Sequence, residues 1–256
     1  MRLFDHRSGE SLQLGDANLY YETTGEAGAP TLLLLHGGFG TIEEFNSVLS
    51  RLTGRFHVVG IDSRGQGKST LGTKPLSYRQ IQEDVEQVIA HLGLSDVVLC
   101  GFSDGGIVGL RIAAEGKVRI RKLVTIGARF VLKPEDSLRK IFSRITGQSW
   151  RAKFPATYEI YQRVNPQPDF DRLAEAMVKM WLDSGETGYP AGKIDSISCP
   201  TFLVRGDDDP LCSRELIMEA ARRIKGAKLS NIAFAGHVAF EDQLDVFMRG
   251  LNTFLS

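Results

Sequence analysis

The stretch that most constrains this chain is Val97-Val98-Leu99-Cys100-Gly101-Phe102-Ser103-Asp104-Gly105-Gly106-Ile107-Val108-Gly109-Leu110. An apolar run leads into a glycine-flanked serine and then into a second apolar segment, which reads as a buried strand, a sharp turn and a helix. A strand that turns straight into a helix forces the residue at the apex into a strained backbone conformation. It also brings neighbouring backbones too close for side chains. Gly101 and Gly105, two before and two after Ser103, relieve that crowding. The pattern G-x-S-x-G is weak on its own, but in a strand-turn-helix context it marks a nucleophilic serine. The alternative is a glycine-rich turn with a solvated serine.

Around this stretch the pattern repeats. Residues 31–36, 56–61 and 121–127 are further continuous apolar runs, the mark of strands buried on both faces. Apolar residues at helical spacing fill 41–52, 77–92 and 107–115. Thr41 and Glu44 stand as the N-cap and N3 residues of the first of these, and Gly93 stands where a C-cap glycine ends the second. Residues 11–24 alternate around Leu12, Leu14, Leu19 and Tyr21, as an antiparallel hairpin does. Strand and helix in alternation imply a mostly parallel sheet with helices on both faces.

From 129 to 198 the alternation stops. Helical patterns at 138–145, 158–164 and 173–182 are broken by Pro155, Pro166, Pro168 and Pro190. This reads as a helical lid inserted into a core of residues 1–128 and 199–256. Its nine aromatics, from Phe130 to Tyr189, suit a cover over an apolar pocket, although most are expected to pack as core. A strand at 199–206, a helix at 213–224, a strand at 228–234 and a helix at 238–255 complete the chain.

Composition narrows the class of function. With 42% hydrophobic and 24% charged residues the chain is ordinary for a globular domain, and 31 basic against 31 acidic residues leave no global field to attract nucleic acid or an anionic membrane. The first ten residues lack the apolar core of a signal peptide and no apolar run is long enough to span a bilayer, so a cytoplasmic protein is expected. Cys100, Cys199 and Cys212 are too few and too scattered for a disulfide framework or zinc site, and Cys100 and Cys199 read as inert packing residues. No two histidines have ligand spacing, so neither metal nor cofactor is expected.

A serine hydroxyl is a poor nucleophile at neutral pH and needs a histidine to take its proton and a carboxylate to orient that histidine. Asp207-Asp208-Asp209 directly follows the penultimate strand, and Gly236-His237 follows the last. The carboxyl ends of parallel strands converge on one edge of a sheet, so serine, acid and histidine gather there. Of five histidines, His237 alone follows a final strand, whereas His6, His57 and His91 read as surface or strand residues. Spacing leaves the choice among the three aspartates open.

The strands, the G-x-S-x-G turn, the lid position and the order Ser…Asp…His resemble the α/β-hydrolase fold over nearly the whole chain. In that family the acid stands just before the proline of a G-x-x-D-P turn, which implies Asp209, with Asp207 second and Asp208 a solvated turn residue. His36 resembles the family's structural histidine, which shapes the oxyanion loop. The resemblance implies that backbone N–H groups of Asp104 and of Gly38, with Phe39 the alternative, form an oxyanion hole. One such donor is worth about 3 to 4 kcal/mol of barrier.

Within the family, Gly101-Phe102-Ser103-Asp104-Gly105-Gly106 resembles the serine turn of the valacyclovir hydrolases and their bacterial relatives. The likeness extends to Ile126-Gly127-Ala128, Pro134-Glu135-Asp136-Ser137 and Lys179-Met180-Trp181. In that group the aspartate after the nucleophile binds the α-amino group of an amino-acid ester, which implies this role for Asp104. The chain departs from the group at Cys212, where a β-branched residue is expected. A fixed carboxylate beside an oxyanion opposes the reaction unless a cation offsets it; otherwise Asp104 turns toward Arg64, Lys68 or solvent. The function implied is a serine esterase acting through an acyl-enzyme on small-molecule esters, α-amino-acid esters preferred, by a monomer or small homo-oligomer. A lactonase or carbon–carbon bond hydrolase with the same triad, and a triad-bearing receptor with little turnover, are the alternatives.

Overall fold

The computed structural model describes residues 2–52 and 54–256. The hairpin is present as β1 (Glu10–Leu14) and β2 (Ala17–Gly25), paired antiparallel across Gly15-Asp16. The apolar runs form β3 (Thr31–Leu35), β4 (His57–Ile61), β5 (Val97–Phe102), β6 (Ile120–Ile126), β7 (Thr201–Gly206) and β8 (Lys228–Ile232). All join one sheet in the order β1-β2-β4-β3-β5-β6-β7-β8, parallel from β4 to β8. β5 is central, and successive side chains go to opposite faces: Leu99 enters one core, Val98 and Cys100 the other. That two-sided burial is why the strand is apolar at every position, each large aliphatic side chain contributing about 1.5 to 3 kcal/mol.

Helices α2 (Tyr78–His91), α3 (Asp104–Glu115) and α8 (Arg214–Arg223) pack on the first face. The short α1 (Asn46–Leu49) and the last helix, α10 (Leu244–Leu255), pack on the second. Residues 41–52 are a shorter helix than their periodicity predicts, a 3-10 turn at Ile42–Phe45 followed by the single turn of α1. Thr41 caps it by accepting from the Glu43 N–H, so Glu44 is not used in a capping box. The predicted helix at 238–255 is interrupted at Gln243 (φ −136°), giving α9 (Ala239–Asp242) before α10.

Between β6 and β7 lie α4 (Leu138–Phe142), α5 (Gly147–Lys153), α6 (Pro155–Val164) and α7 (Phe170–Leu182). Pro155 starts α6 rather than breaking it, because its missing N–H falls in the first turn. α5 is absent from the sequence reading, although Thr146 and Ser149 form a reciprocal cap at its start. The segment is tied to the core by buried polar groups: Asn165 donates to the carbonyls of Gly67 and Ser69 at 2.9 and 3.0 Å, and Arg111 to that of Gly188. Six of its nine aromatics are buried, but three of those six, Phe142, Trp181 and Tyr189, also line the cavity beside Ser103.

His6 corrects the sequence reading. It is buried, with Nε2 at 2.8 Å from Asp62 and Nδ1 at 2.5 Å from Glu43. Both nitrogens face carboxylates, which requires the doubly protonated ring. Burial alone lowers its pKa, but the hydrogen bond and charge of Asp62, then those of Glu43, outweigh it and raise the pKa to about 9. A raised value means that the stabilisation is complete below the unfolded value of about 6.5 and is lost as pH rises through about 9. Urea unfolding at pH 6 and pH 9.5 is expected to show a loss on the order of 3 kcal/mol that His6→Gln lacks. Parallel losses in both proteins would show that His6 is not the group responsible.

Candidate active site

β5 ends at Phe102 and α3 begins at Asp104, so Ser103 alone makes the turn, with φ 49° and ψ −114°. A Cβ on Gly101 would overlap the Gly105 carbonyl, and one on Gly105 would overlap that of Leu35. Both glycines are therefore steric requirements of the turn. The Ser103 N–H donates to the Ile126 carbonyl of β6 at 2.8 Å, which fixes the turn over the sheet.

The ends of β5, β7 and β8 bring three predicted residues together. Ser103 Oγ lies 3.0 Å from His237 Nε2, and His237 Nδ1 lies 2.9 Å from Asp209 Oδ2. An ionised carboxylate only accepts, so Nδ1 carries the proton and Nε2 is free to accept from Ser103. The other Asp209 oxygen accepts from the N–H groups of Leu211 (2.7 Å) and Cys212 (3.2 Å). Buried Arg205 holds the same loop through the Cys212 carbonyl at 2.8 Å. The other two aspartates are elsewhere: Asp207 pairs with Arg214 and Asn231, and Asp208 is exposed.

The loop after β3 faces Ser103. Neutral, buried His36 accepts from the Ser63 N–H at Nε2 (2.9 Å) and donates from Nδ1 to the Gly37 carbonyl (2.7 Å); burial lowers its pKa. Gly40 N–H also donates to that carbonyl, at 3.1 Å. In a trans peptide the next N–H points the opposite way, so the Gly38 N–H is turned off this network. Among the described residues the N–H groups of Gly38, Phe39 and Asp104 have no intramolecular acceptor. Gly38 and Asp104 line the cavity, whereas the Phe39 ring packs among Trp150, Phe170 and Trp181. The Asp104 N–H is also the first of the twelve-residue α3, where the helix dipole favours negative charge.

Asp104 turns toward neither Arg64, Lys68 nor solvent. Arg64 is held by Asp84 and Asp16, and Lys68 lies over the Tyr20 ring. Asp104 is 6% exposed and accepts from Tyr78 O–H at 2.7 Å and from Trp181 Nε1–H at 2.9 Å. Desolvation raises its pKa, and the two neutral donors recover only part of the cost. A second acid, Glu44, was not singled out by the sequence as a site residue. It also lines the cavity, and its carboxylate accepts from the Gly37 N–H at 3.2 Å. The cavity has a volume of about 400 Å³ and is lined by Ser103, His237 and Asp104 together with apolar residues that include Trp150, Phe154 and Leu211. The Cys100 and Cys212 thiols are pushed up to about 12 by burial, which keeps them unreactive.

Among the described residues no helix is long and apolar enough to cross a membrane, and no three His, Cys, Asp or Glu are placed to hold a metal ion. A model of the alpha/beta hydrolase family matches residues 32–249. The mouse (Mus musculus) serine hydrolase BPHL is 30% identical over 93% of this chain and 83% of its own. The pimeloyl-[acyl-carrier protein] methyl ester esterase of Nitrosospira multiformis is 23% identical over 94% and 99%. The crystal structure of a Pseudomonas aeruginosa hydrolase superposes with a TM-score of 0.75 at 24% identity, covering 98% of this chain and all of that one, which shows the fold. With a mostly parallel eight-stranded sheet and a serine at the sharp turn after its central strand, the chain belongs to the alpha/beta hydrolase family.

Proposed function

We propose that this protein is a serine esterase that cleaves carboxylic esters through an acyl-enzyme and prefers esters of α-amino acids. Ser103 Oγ attacks the ester carbonyl while His237 Nε2 takes its proton, and Asp209 stabilises the imidazolium that forms. The N–H groups of Gly38 and Asp104 receive the oxygen of the tetrahedral intermediate. His237 then gives the proton to the departing alcohol, and a water activated by the same nitrogen releases the acid. Residues 129–198 act as the lid that shapes the acyl pocket.

One observation carries the substrate preference. The Asp104 carboxylate lies in the cavity next to Ser103, and its hydrogen-bond partners, Tyr78 and Trp181, are neutral. Two opposite unit charges about 5 Å apart interact by about 3 kcal/mol at an effective dielectric constant near 20. A substrate ammonium placed there offsets the charge that otherwise opposes the oxyanion. The relative named as a serine hydrolase supports the nucleophile, and the one named as a methyl ester esterase supports the ester bond.

The test is kcat/KM for phenylalanine benzyl ester against its N-acetyl form at pH 6.5, where the amine is protonated. A preference of roughly tenfold or more for the free amine, about 1.4 kcal/mol, is expected. Equal rates would reduce the reading to a general carboxylesterase, and no cleavage of either would return the lactonase and receptor alternatives.

A further inference from the structure

We propose that Glu44 is a positioning residue of the oxyanion loop that works as a neutral carboxylic acid, holding the Gly37 N–H and, by keeping its proton, sparing the oxyanion an uncompensated second negative charge. The proposal rests on the reading of Ser103 as the nucleophile and of the Gly38 N–H as an oxyanion donor.

Its basis is the way residues 37–40 wrap around this one side chain. The Gly37 carbonyl is held by His36 and Gly40, and the Gly37 N–H by Glu44, so both polar groups of Gly37 are fixed. The Gly38 N–H direction follows from that anchoring, because the peptide linking the two residues is planar. A Cβ on Gly40 would overlap Glu44 Oε1, so the loop is built to admit this carboxyl. Glu44 stands three residues after the Thr41 cap, where a glutamate ordinarily turns back to the cap N–H. Here it reaches past the cap, further back to the N–H of Gly37, and Thr41 caps through the Glu43 N–H.

The charges that act most on Glu44 are acidic: Asp62 on the loop after β4, Asp104 at the start of α3 and Glu241 on α9. Its sequence neighbour Glu43 is bonded to His6, and His237 faces the shared cavity from the end of β8. Lys153 of α5 and Arg129 line the same cavity, but among the described residues neither pairs with Glu44, and Arg129 is held by Asp136. Burial is the leading cause that pushes the carboxyl up to about 8, with the three acids adding to it and the Gly37 hydrogen bond opposing it. The site therefore presents one carboxylate, Asp104, to one ammonium. A second charge at Glu44 would oppose oxyanion formation with nothing in the substrate to meet it.

The experiment uses a neutral ester, p-nitrophenyl butyrate, so that no substrate amine titrates. For the wild type, kcat/KM is expected to rise as His237 loses its proton and then to fall roughly tenfold or more between pH 7.5 and 9.5. Glu44→Gln keeps an acceptor for the Gly37 N–H but cannot ionise. With each enzyme scaled to its own maximum, its alkaline fall is expected to vanish. Glu44→Ala, which loses the acceptor, is expected to have a kcat lower than that of Glu44→Gln by roughly tenfold at pH 7. Circular dichroism at each pH separates loss of fold from loss of catalysis, and if Glu44→Ala does not fold, the Gln profile decides alone. The same alkaline fall in Glu44→Gln as in the wild type would overturn the proposal, as would its disappearance in Asp104→Asn instead. Turnover retained by Ser103→Ala would overturn the esterase reading itself, and so distinguishes the two failures.

Discussion

Ser103→Ala is expected to lower kcat for any ester by roughly four to six orders of magnitude while leaving the fold and substrate binding in place. The nucleophile and the base act as a unit, so removing either removes the covalent route altogether. What remains is the modest rate enhancement of an oxyanion hole acting on attack by water. Alanine is the right probe because Ser103 sits at φ 49°, where serine and alanine carry the same Cβ strain, so the variant neither relieves nor adds any. A glycine would relax the turn and confuse stability with chemistry. A fluorophosphonate should add its phosphonyl mass to the wild type and not to Ser103→Ala, with thermal midpoints within a degree or two. Turnover by the variant within tenfold of the wild type would mean that another residue attacks the ester.

Asp104→Asn is expected to erase the preference for a free amine, lowering kcat/KM for phenylalanine benzyl ester by roughly tenfold to a hundredfold. The N-acetyl ester is expected to hold its rate or gain, since it never benefited from the charge. The substitution is close to isosteric. The amide oxygen can accept from Trp181 Nε1–H as the carboxylate does, and Tyr78 can rotate its hydroxyl to accept from the new NH₂. The change is therefore read as loss of charge rather than of packing. In the wild type the preference should also fade as pH falls, because desolvation raises the Asp104 pKa and its protonated form cannot pair with an ammonium. A preference that survives in Asp104→Asn would mean that a group other than Asp104 receives the ammonium.

Local chemistry made the framework legible. A strand buried on both faces reads as a near-continuous apolar run, and β3, β5 and β7 were readable for that reason, although β7 also buries Arg205. The turn at Ser103 was readable from its glycine spacing; Gly101 is demanded by a local backbone contact with the Gly105 carbonyl, whereas Gly105 itself answers to the Leu35 carbonyl on the neighbouring strand. Helix limits set by local caps were legible too, as at Ser77, whose side chain accepts from the Gln80 N–H, and Ser213, which accepts from that of Leu216. The serine and histidine were legible from their places after strands, and the family resemblance picked Asp209 from three adjacent aspartates; the strand ends bring these residues within hydrogen-bond distance.

The polar partners around the site were decided by the tertiary structure. Asp104 meets Tyr78 from α2 and Trp181 from α7, 26 and 77 residues away, and no periodicity records that meeting. His6 reads as a surface residue in its own decapeptide, and only the packing of the N-terminal segment against Asp62, 56 residues on, makes it a buried cation. Glu44 matches a local capping rule, yet the turn at Gly37 offers it a better-placed N–H, and the local rule loses. Apolar periodicity reports which face of an element is buried. It carries no record of which polar groups on different elements meet there, and burial makes those meetings decisive, because an unpartnered polar group costs about 1 to 3 kcal/mol. The sequence, with the family resemblance it carries, thus determined the sheet, the sharp turn and the serine, aspartate and histidine that the strand ends bring together. Only the packing of α2, α7 and the N-terminal segment around that turn decided the charge that a substrate meets beside Ser103.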